Sequence, residues 1–449
     1  MERPSMEQQL NTAAPAAAPG RLPRGARKAL TAAVVGTLIE WYDYALYGAA
    51  AGLVIGPLFF SDAVPEAAAM AAFATFAVGF IARPLGGIII GHIGDRHGRK
   101  PAMVLTILLM GAATVGIGLL PTAAAIGAAA PLLLVVFRLL QGLGAGAELA
   151  GAMTLVAEFA PPKQRGRYTS FVLATPPAGI ALATLAFFLA STAGDQALLD
   201  WAWRVPFLVS AVLFFVALYI RSSLEETPEY LRALANRDQQ EKKVPLGELW
   251  RHHRRQVFLG FLSITGHNAV NYVMAVFAIT FMTSEAVGMP RPTALLVVTI
   301  ASLFCIMGSP LAGWAADRYG AGRVLAFGGI VGALFAWPLF QMMATGNPLT
   351  AGLGLAIGYL FSVSASSGAQ GAFLTNLFPP KQRFSGVALA RETNGAIIAG
   401  LSPLIAAALI QAADGGTWLA AAYVAACCVC SIAAVALARG TGNNAAAAR

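Results

Sequence analysis

The chain has 449 residues, 57% of them hydrophobic and only 11% charged, with a formal net charge of +9. A soluble domain carries about 25% charged residues, so this balance, with a mean hydropathy of +0.68, excludes an ordinary soluble protein and implies a polytopic membrane protein. The bases sit in short loops between apolar runs, so they read as a topology signal and not as a surface for nucleic acid.

Residues 1–28 are rich in Ala and Pro and contain Arg21, Arg24, Arg27 and Lys28. They are expected to form a disordered cytoplasmic tail, and no cleavable signal peptide is evident. Apolar stretches of about 20 residues, the length that crosses a bilayer as a helix, then recur. They lie near 30–56, 67–92, 101–120, 130–158, 168–190, 203–221, 257–282, 293–315, 323–344, 350–376, 385–411 and 418–438. The expectation is an all-α integral membrane protein: a six-helix half over 29–221, a linker over 222–256, a second six-helix half over 257–438 and a cytoplasmic tail over 439–449.

Alternate loops carry the positive charge: the N-terminal tail, Arg96/Arg99/Lys100, Lys163/Arg165/Arg167, the segment 221–256, Arg318/Arg323 and Lys381/Arg383. The positive-inside rule puts both termini in the cytoplasm of a protein of the inner (plasma) membrane. In the linker, Ser223-Leu224-Glu225-Glu226 reads as a capping box and Thr227-Pro228 as an alternative helix start. The basic cluster Arg251–Arg255 reads as an anchor, with binding of anionic lipid as a secondary role.

Two phrases repeat in the same order. Pro161-Pro162-Lys163-Gln164-Arg165 returns at Pro379-Pro380-Lys381-Gln382-Arg383, 218 residues on, and Gly91-x-x-x-Asp95-Arg96-x-Gly98-Arg99-Lys100 is echoed by Gly313-x-x-x-Asp317-Arg318-Tyr319-Gly320, with 222 residues between the aspartates. The chain is therefore a tandem duplication, the plan of a two-halved carrier with its site between the halves. Anchoring explains the bases in these phrases but not the acids. Asp95, Arg96, Arg99, Glu158, Arg165, Asp317 and Arg318 are expected to form a latch whose ion pairs hold one conformation and break in another. The second half has Asn376 in the place of Glu158, which weakens its latch.

Ionisable residues inside the spans cost about 2.5–3.5 kcal/mol each at the bilayer centre and mark function. They are Glu40, Asp43, Arg83, Arg138, Glu148, Arg391 and Glu392. Glu40 and Asp43 are three apart, sharing a helix face, and Glu40 lies about 15 Å deep counted from Leu30. Such acids can take up a proton on one side of a membrane and lose it on the other; the competing reading is a fixed ion pair with Arg83 or Arg138. Arg138, with Gln141 beside it, is the leading candidate for an anionic substrate group, because a guanidinium holds a carboxylate bidentately and stays charged. Arg83 and Arg391 are further candidates, Arg391 as a rough second-half analogue of Arg138 with Glu392 neutralising it. Span 7 brings His267, Asn268, Asn271 and Tyr272 together at helical spacing, either as substrate ligands or as interhelical hydrogen bonds.

Gly142-Leu-Gly144-Ala-Gly146 lies within a span and follows no strand, so it reads as close helix packing and not as a dinucleotide loop. Cys305, Cys427, Cys428 and Cys430 lack metal-ligand spacing. No Walker A sequence and no catalytic constellation appears, so neither ATP drive, metal, cofactor nor an enzymatic activity is expected.

The repeated loop and Arg138-Leu-Leu-Gln141-Gly142 resemble the major facilitator superfamily. Within it, Glu40-Trp41-Tyr42-Asp43-Tyr44-Ala45-Leu46-Tyr47-Gly48, Arg83-Pro84-Leu85-Gly86-Gly87, Trp203-Arg204-Val205-Pro206-Phe207 and Arg221-Ser-Ser-Leu-Glu-Glu-Thr-Pro-Glu resemble the metabolite:proton symporters, a group with carriers of shikimate, 2-oxoglutarate, citrate and proline/betaine. The resemblance runs from about residue 30 to 438. It implies proton-coupled uptake of a small organic carboxylate or zwitterion by alternating access, in a protein that works as a monomer in the lipid bilayer. Proton-coupled export of a drug or metabolite is the alternative; a transporter-like sensor signalling through 222–256 is more remote.

Overall fold

The computed structural model describes residues 24–61, 63–97, 99–146, 148–222, 246–379 and 382–438. The expected tails up to residue 23 and from 439, and the capping-box stretch of the linker, lie outside them. Twelve long helical runs follow one another among the described residues, with short helical turns at Ala123–Ile126 and 195–202 between them, and no strand occurs there. We number them α1 (24–59), α2 (Pro65–His97), α3 (Arg99–Leu119), α4 (Ala129–Glu158), α5 (Arg165–Ser191), α6 (Arg204–Ser222), α7 (246–282), α8 (Arg291–Tyr319), α9 (Ala321–Ala344), α10 (Pro348–Leu377), α11 (Arg383–Ala412) and α12 (Trp418–Ala438).

Among the described residues nine helices are long and apolar enough to cross a membrane, and a tenth span arises if Asp195–Ala202 and Arg204–Tyr219, bent by 47°, count as one. Val104–Leu119 in α3 is a shorter apolar helix, and α1 is the run that carries Glu40 and Asp43. A helix begins at Leu246 and meets the seventh span across a kink at His253 (φ −128°, ψ 20°), so the stretch 246–256, expected in the linker, is already helical on both sides of that kink.

The duplication is visible in three dimensions. A wide π-type turn at Ala51–Ile55 in α1 has its counterpart at Val273–Phe277 in α7, a spacing of 273 − 51 = 222, the same as between the two aspartates. Such turns re-aim side chains and concentrate at functional sites. The halves meet through two equivalent pairs, α2 against α11 and α5 against α8, with α1 beside α7 and α4 beside α10. Within the first half, α2 and α4 touch backbone to backbone. A Cβ on Gly142 would lie 2.0 Å from the carbonyl oxygen of Gly79, so the glycine run in α4 packs helices as its sequence implied.

Contacts between the halves bridge both faces of the bundle. On the face that bears the repeated phrases, Asp317 at the end of α8 accepts hydrogen bonds from the backbone amides of Gly166 (2.7 Å) and Arg167 (2.8 Å) in the first turn of α5. It caps a helix of the other half, where the partial positive charge of the helix end favours an anion. Gly166 and Gly313 leave no space between α5 and α8, since a Cβ on either would meet the other's carbonyl at about 2.5 Å. On the opposite face Thr184 and Thr299 share a buried hydrogen bond of 2.7 Å, and Arg291 pairs with Asp195 at 3.3 Å.

Candidate functional site

Between the two faces, at the junction of the halves, lies a cavity of about 30 Å³, room for a water or two. Its wall draws on α1, α2, α5, α7, α10 and α11. The polar part is Arg83, His267, Asn268, Asn271, Tyr272, Ser367, Gln370, Arg391 and Glu392; Trp41 and Phe80 supply the aromatic part.

Arg83 is the centre of the charge arrangement. Its Nε donates to Glu392 Oε2 at 3.0 Å, and its Nη2 lies 3.8 Å from Glu40 Oε1; all three side chains are almost fully buried. Glu40 and Arg83 belong to the first half and Glu392 to the second, so one guanidinium ties the halves together. The same guanidinium sits over the rings of Trp41, Tyr44 and Phe80, 5.3 to 5.6 Å from their centroids, where ring quadrupoles add attraction.

Arg391 is placed differently. It reaches the cavity and donates from Nη1 to Gln370 Oε1 at 2.7 Å, and its Nε has no hydrogen bond. Asn271 Oδ1 and Trp41 Nε1, also buried on the cavity wall, likewise have none. Unsatisfied buried donors and acceptors cost about 1–3 kcal/mol each, so these atoms offer their hydrogen bonds to whatever enters. Around them runs a network of second-half hydrogen bonds. Asn268 donates to Asn394 (2.5 Å), Asn394 donates to Phe261 O (2.8 Å) and to Thr265 Oγ1 (2.9 Å), and Gln370 contacts His267 (3.4 Å).

The structure therefore brings Arg83, His267, Asn268, Asn271, Tyr272 and Arg391 together, with Glu40 one ion pair behind. Arg138 and Gln141 stand elsewhere. Arg138 is wholly buried within the first half, donating to the carbonyls of Phe76 (2.9 Å) and Thr75 (3.4 Å) and to Gln141, under the rings of Tyr44 and Tyr47. Gln141 in turn donates to Thr114 (2.9 Å) and to the Asp43 carbonyl (3.1 Å). This cluster braces α1, α2, α3 and α4. Arg391 is not its second-half analogue, because α11 corresponds to α5 and not to α4. Glu40 and Asp43 also diverge: Glu40 turns to Arg83, while Asp43 turns to Ser210 of α6. Three residues on a helix are about 60° apart in rotation, enough to aim neighbours at different partners. Arg204, at the start of α6, donates to the carbonyls of Gly118 (2.8 Å) and Leu120 (2.7 Å) and braces α3.

At the repeated phrases the side chains of Asp95, Arg96 and Arg99 lie outside the described ones. Arg165 and Arg383 occupy equivalent positions, donating to Ala157 O (3.0 Å) and Thr375 O (2.9 Å). Arg165 reaches across to Asn376 Oδ1 at 3.4 Å, and the charge of Glu158 acts on Arg383. Asp317 meets the backbone amides of Gly166 and Arg167, and the charge of Arg167 also acts on it. Arg318 lies over Trp314 and Tyr319.

Trp41, Phe80, Ser367 and Gln370 were not singled out from the sequence. The run Ser364, Ser366, Ser367, Gln370 within an apolar span was the available signal; for Phe80 there was none.

Residues 28–245 match the family described as Sugar (and other) transporter. The chain is 38% identical, over 85% of its length and 87% of the relative's, to an inner membrane metabolite transport protein of Escherichia coli. It is 34% identical to the shikimate transporter of the same organism, over 90% and 93% of the two chains. It is 32% identical to a glycine betaine/proline/ectoine/pipecolic acid transporter of Dickeya dadantii, over 86% and 78%. Among solved structures, that of a D-xylose-proton symporter superposes with a TM-score of 0.73 at 20% identity, covering 90% of this chain and 97% of that one. A likeness at that identity carries the fold alone.

Proposed function

The chain belongs to the major facilitator superfamily, among its metabolite transporters, and on that premise we propose that it takes up a small organic carboxylate together with a proton. It is a membrane transporter and not an enzyme. The observation that carries the reading is the charge count at the junction of the halves. Arg83 and Arg391 stand against Glu40 and Glu392, two charges of each sign, which sum to zero when all are ionised. A carboxylate held by Arg391 and the Trp41 indole N–H adds one negative charge in a largely buried site. One proton on Glu40 or Glu392 restores neutrality, so anion and proton favour the same closed form. A zwitterion leaves the count unchanged and gains nothing from the proton, so the arrangement favours the anion over the zwitterion.

In the cycle, both termini face the cytoplasm and the halves rock about the cavity. Glu40 releases the Arg83 bridge when it is protonated, Arg391 orients the anion, and Asn268, Asn271 and His267 shape the remainder. Asp43, beside Ser210, is a second proton acceptor remote from the anion.

The test uses lightly buffered proteoliposomes and a panel of organic acids and zwitterions, shikimate and 2-oxoglutarate among them. The expected result is external alkalinisation with an acid, abolished by Glu40→Gln. Arg391→Ala should raise the KM about tenfold or more, the worth of one charged hydrogen bond, without lowering the melting temperature. Arg138→Ala should lower the melting temperature. External acidification would replace uptake by export in exchange for protons. Wild-type uptake in Glu40→Gln and Asp43→Asn at every pH would remove proton coupling.

A further inference from the structure

A second concavity lies on the outer wall of the second half, away from the transport cavity. It is a groove of about 460 Å³ between α8, α9 and α10. Its floor is small, formed by Gly308, Ala312, Ala315 and Ala365, and its rims are Leu311, Phe327, Leu360 and Phe361. Leu311, Phe327 and Phe361 are exposed. One end is polar: Tyr319 and Arg323 close the groove where the chain turns at Gly320 between α8 and α9.

Two observations say what fits there. From Gly308 to Tyr319 the groove follows α8 for about 16 Å at 1.5 Å per residue, about half of a 30 Å hydrocarbon core, the depth of a single leaflet. Its mouth carries two exposed cations without an acidic partner among the described residues. Arg323 reaches only the Tyr319 carbonyl, at 3.3 Å, and Arg318 lies over the Trp314 and Tyr319 rings. Among the described residues the acid beside them, Asp317, is taken by the amides of Gly166 and Arg167. A greasy slot one leaflet deep, with guanidinium groups at the membrane boundary, has the chemistry of a phospholipid with an acidic headgroup.

We propose that this groove holds the acyl chain of one anionic phospholipid, in the leaflet on the face of the repeated phrases, with its phosphate on Arg323 and Arg318. The apolar floor supplies shape and the arginines supply the preference for negative charge. The site is independent of the transported solute.

The experiment is native mass spectrometry of the full chain in detergent, titrated with phosphatidylglycerol or with phosphatidylcholine of the same acyl chains. One phosphatidylglycerol should be retained at a concentration where phosphatidylcholine is lost. Arg323→Gln should lower that retention at least fivefold, and Ala315→Phe, which fills the floor, should abolish it. Melting curves establish that each variant folds, and either variant that folds is informative by itself. Equal retention of the two lipids, or retention unchanged in a folded variant, overturns the proposal and leaves only ordinary boundary lipid.

Discussion

At the scale of single residues the structure separates three arginines that look alike in the sequence. Arg138 is coated by carbonyls and rings, Arg83 is shared by two carboxylates, and Arg391 lines the cavity with an Nε that makes no hydrogen bond. Their roles follow from their partners and not from the residue type. The sequence marked all three as costly and hence purposeful, but the Arg83–Glu392 contact joins positions 309 apart, and no local pattern announces it. A buried ion pair broken on one side costs about 3–5 kcal/mol, because the remaining charge is stranded. Arg83→Met strands Glu40 and Glu392 together, so a clear fall in melting temperature is expected. Adding Glu40→Gln and Glu392→Gln should recover most of it. A triple variant no more stable than the single one would show that Arg83 works by packing alone.

At the scale of elements, length and hydropathy marked the spans, of which nine or ten are long and apolar enough to cross among the described residues, because a bilayer sets a minimum run that few soluble patterns imitate. Ends were less legible. Helical structure begins at Leu246, inside a charged stretch, and is broken at His253 before the span proper, a kink that no residue pattern announced. The π-type turns of α1 and α7 leave no mark in composition. Helix pairing was legible only where side chains vanish, as in the glycine run of α4. There the contact is between backbones, so an added methyl group has no flexible neighbour to displace. Gly142→Ala is expected to force α2 from α4 and to cost about 1–3 kcal/mol, visible as a lower melting temperature and reduced folded yield. A variant as stable as the parent would mean that the two helices slide apart freely. The same separation would shift the bases of Arg83 and Arg138, whose helices they are.

At the scale of the whole molecule the two closures differ in kind. On the face of the repeated phrases an aspartate of one half caps a helix of the other; on the opposite face the charged contact is a partly exposed ion pair. A cap is worth about 0.5–2 kcal/mol and an exposed pair about 0–1. Asp317→Ala should therefore raise hydrogen exchange of the Gly166 and Arg167 amides roughly 2- to 30-fold. Arg291→Ala should change exchange at its own face less. The reverse order would show that the cap does not hold the halves. Between these closures the cavity has room for a water or two, and its arginines and glutamates answer one another. A closed form whose charges balance without a solute gives the unloaded carrier a return leg. Such a carrier can fill a compartment that contains none of its solute, without swapping one molecule for another. Uptake into vesicles with nothing inside should match uptake into preloaded ones, and dependence on preloading would mean that the return leg is barred.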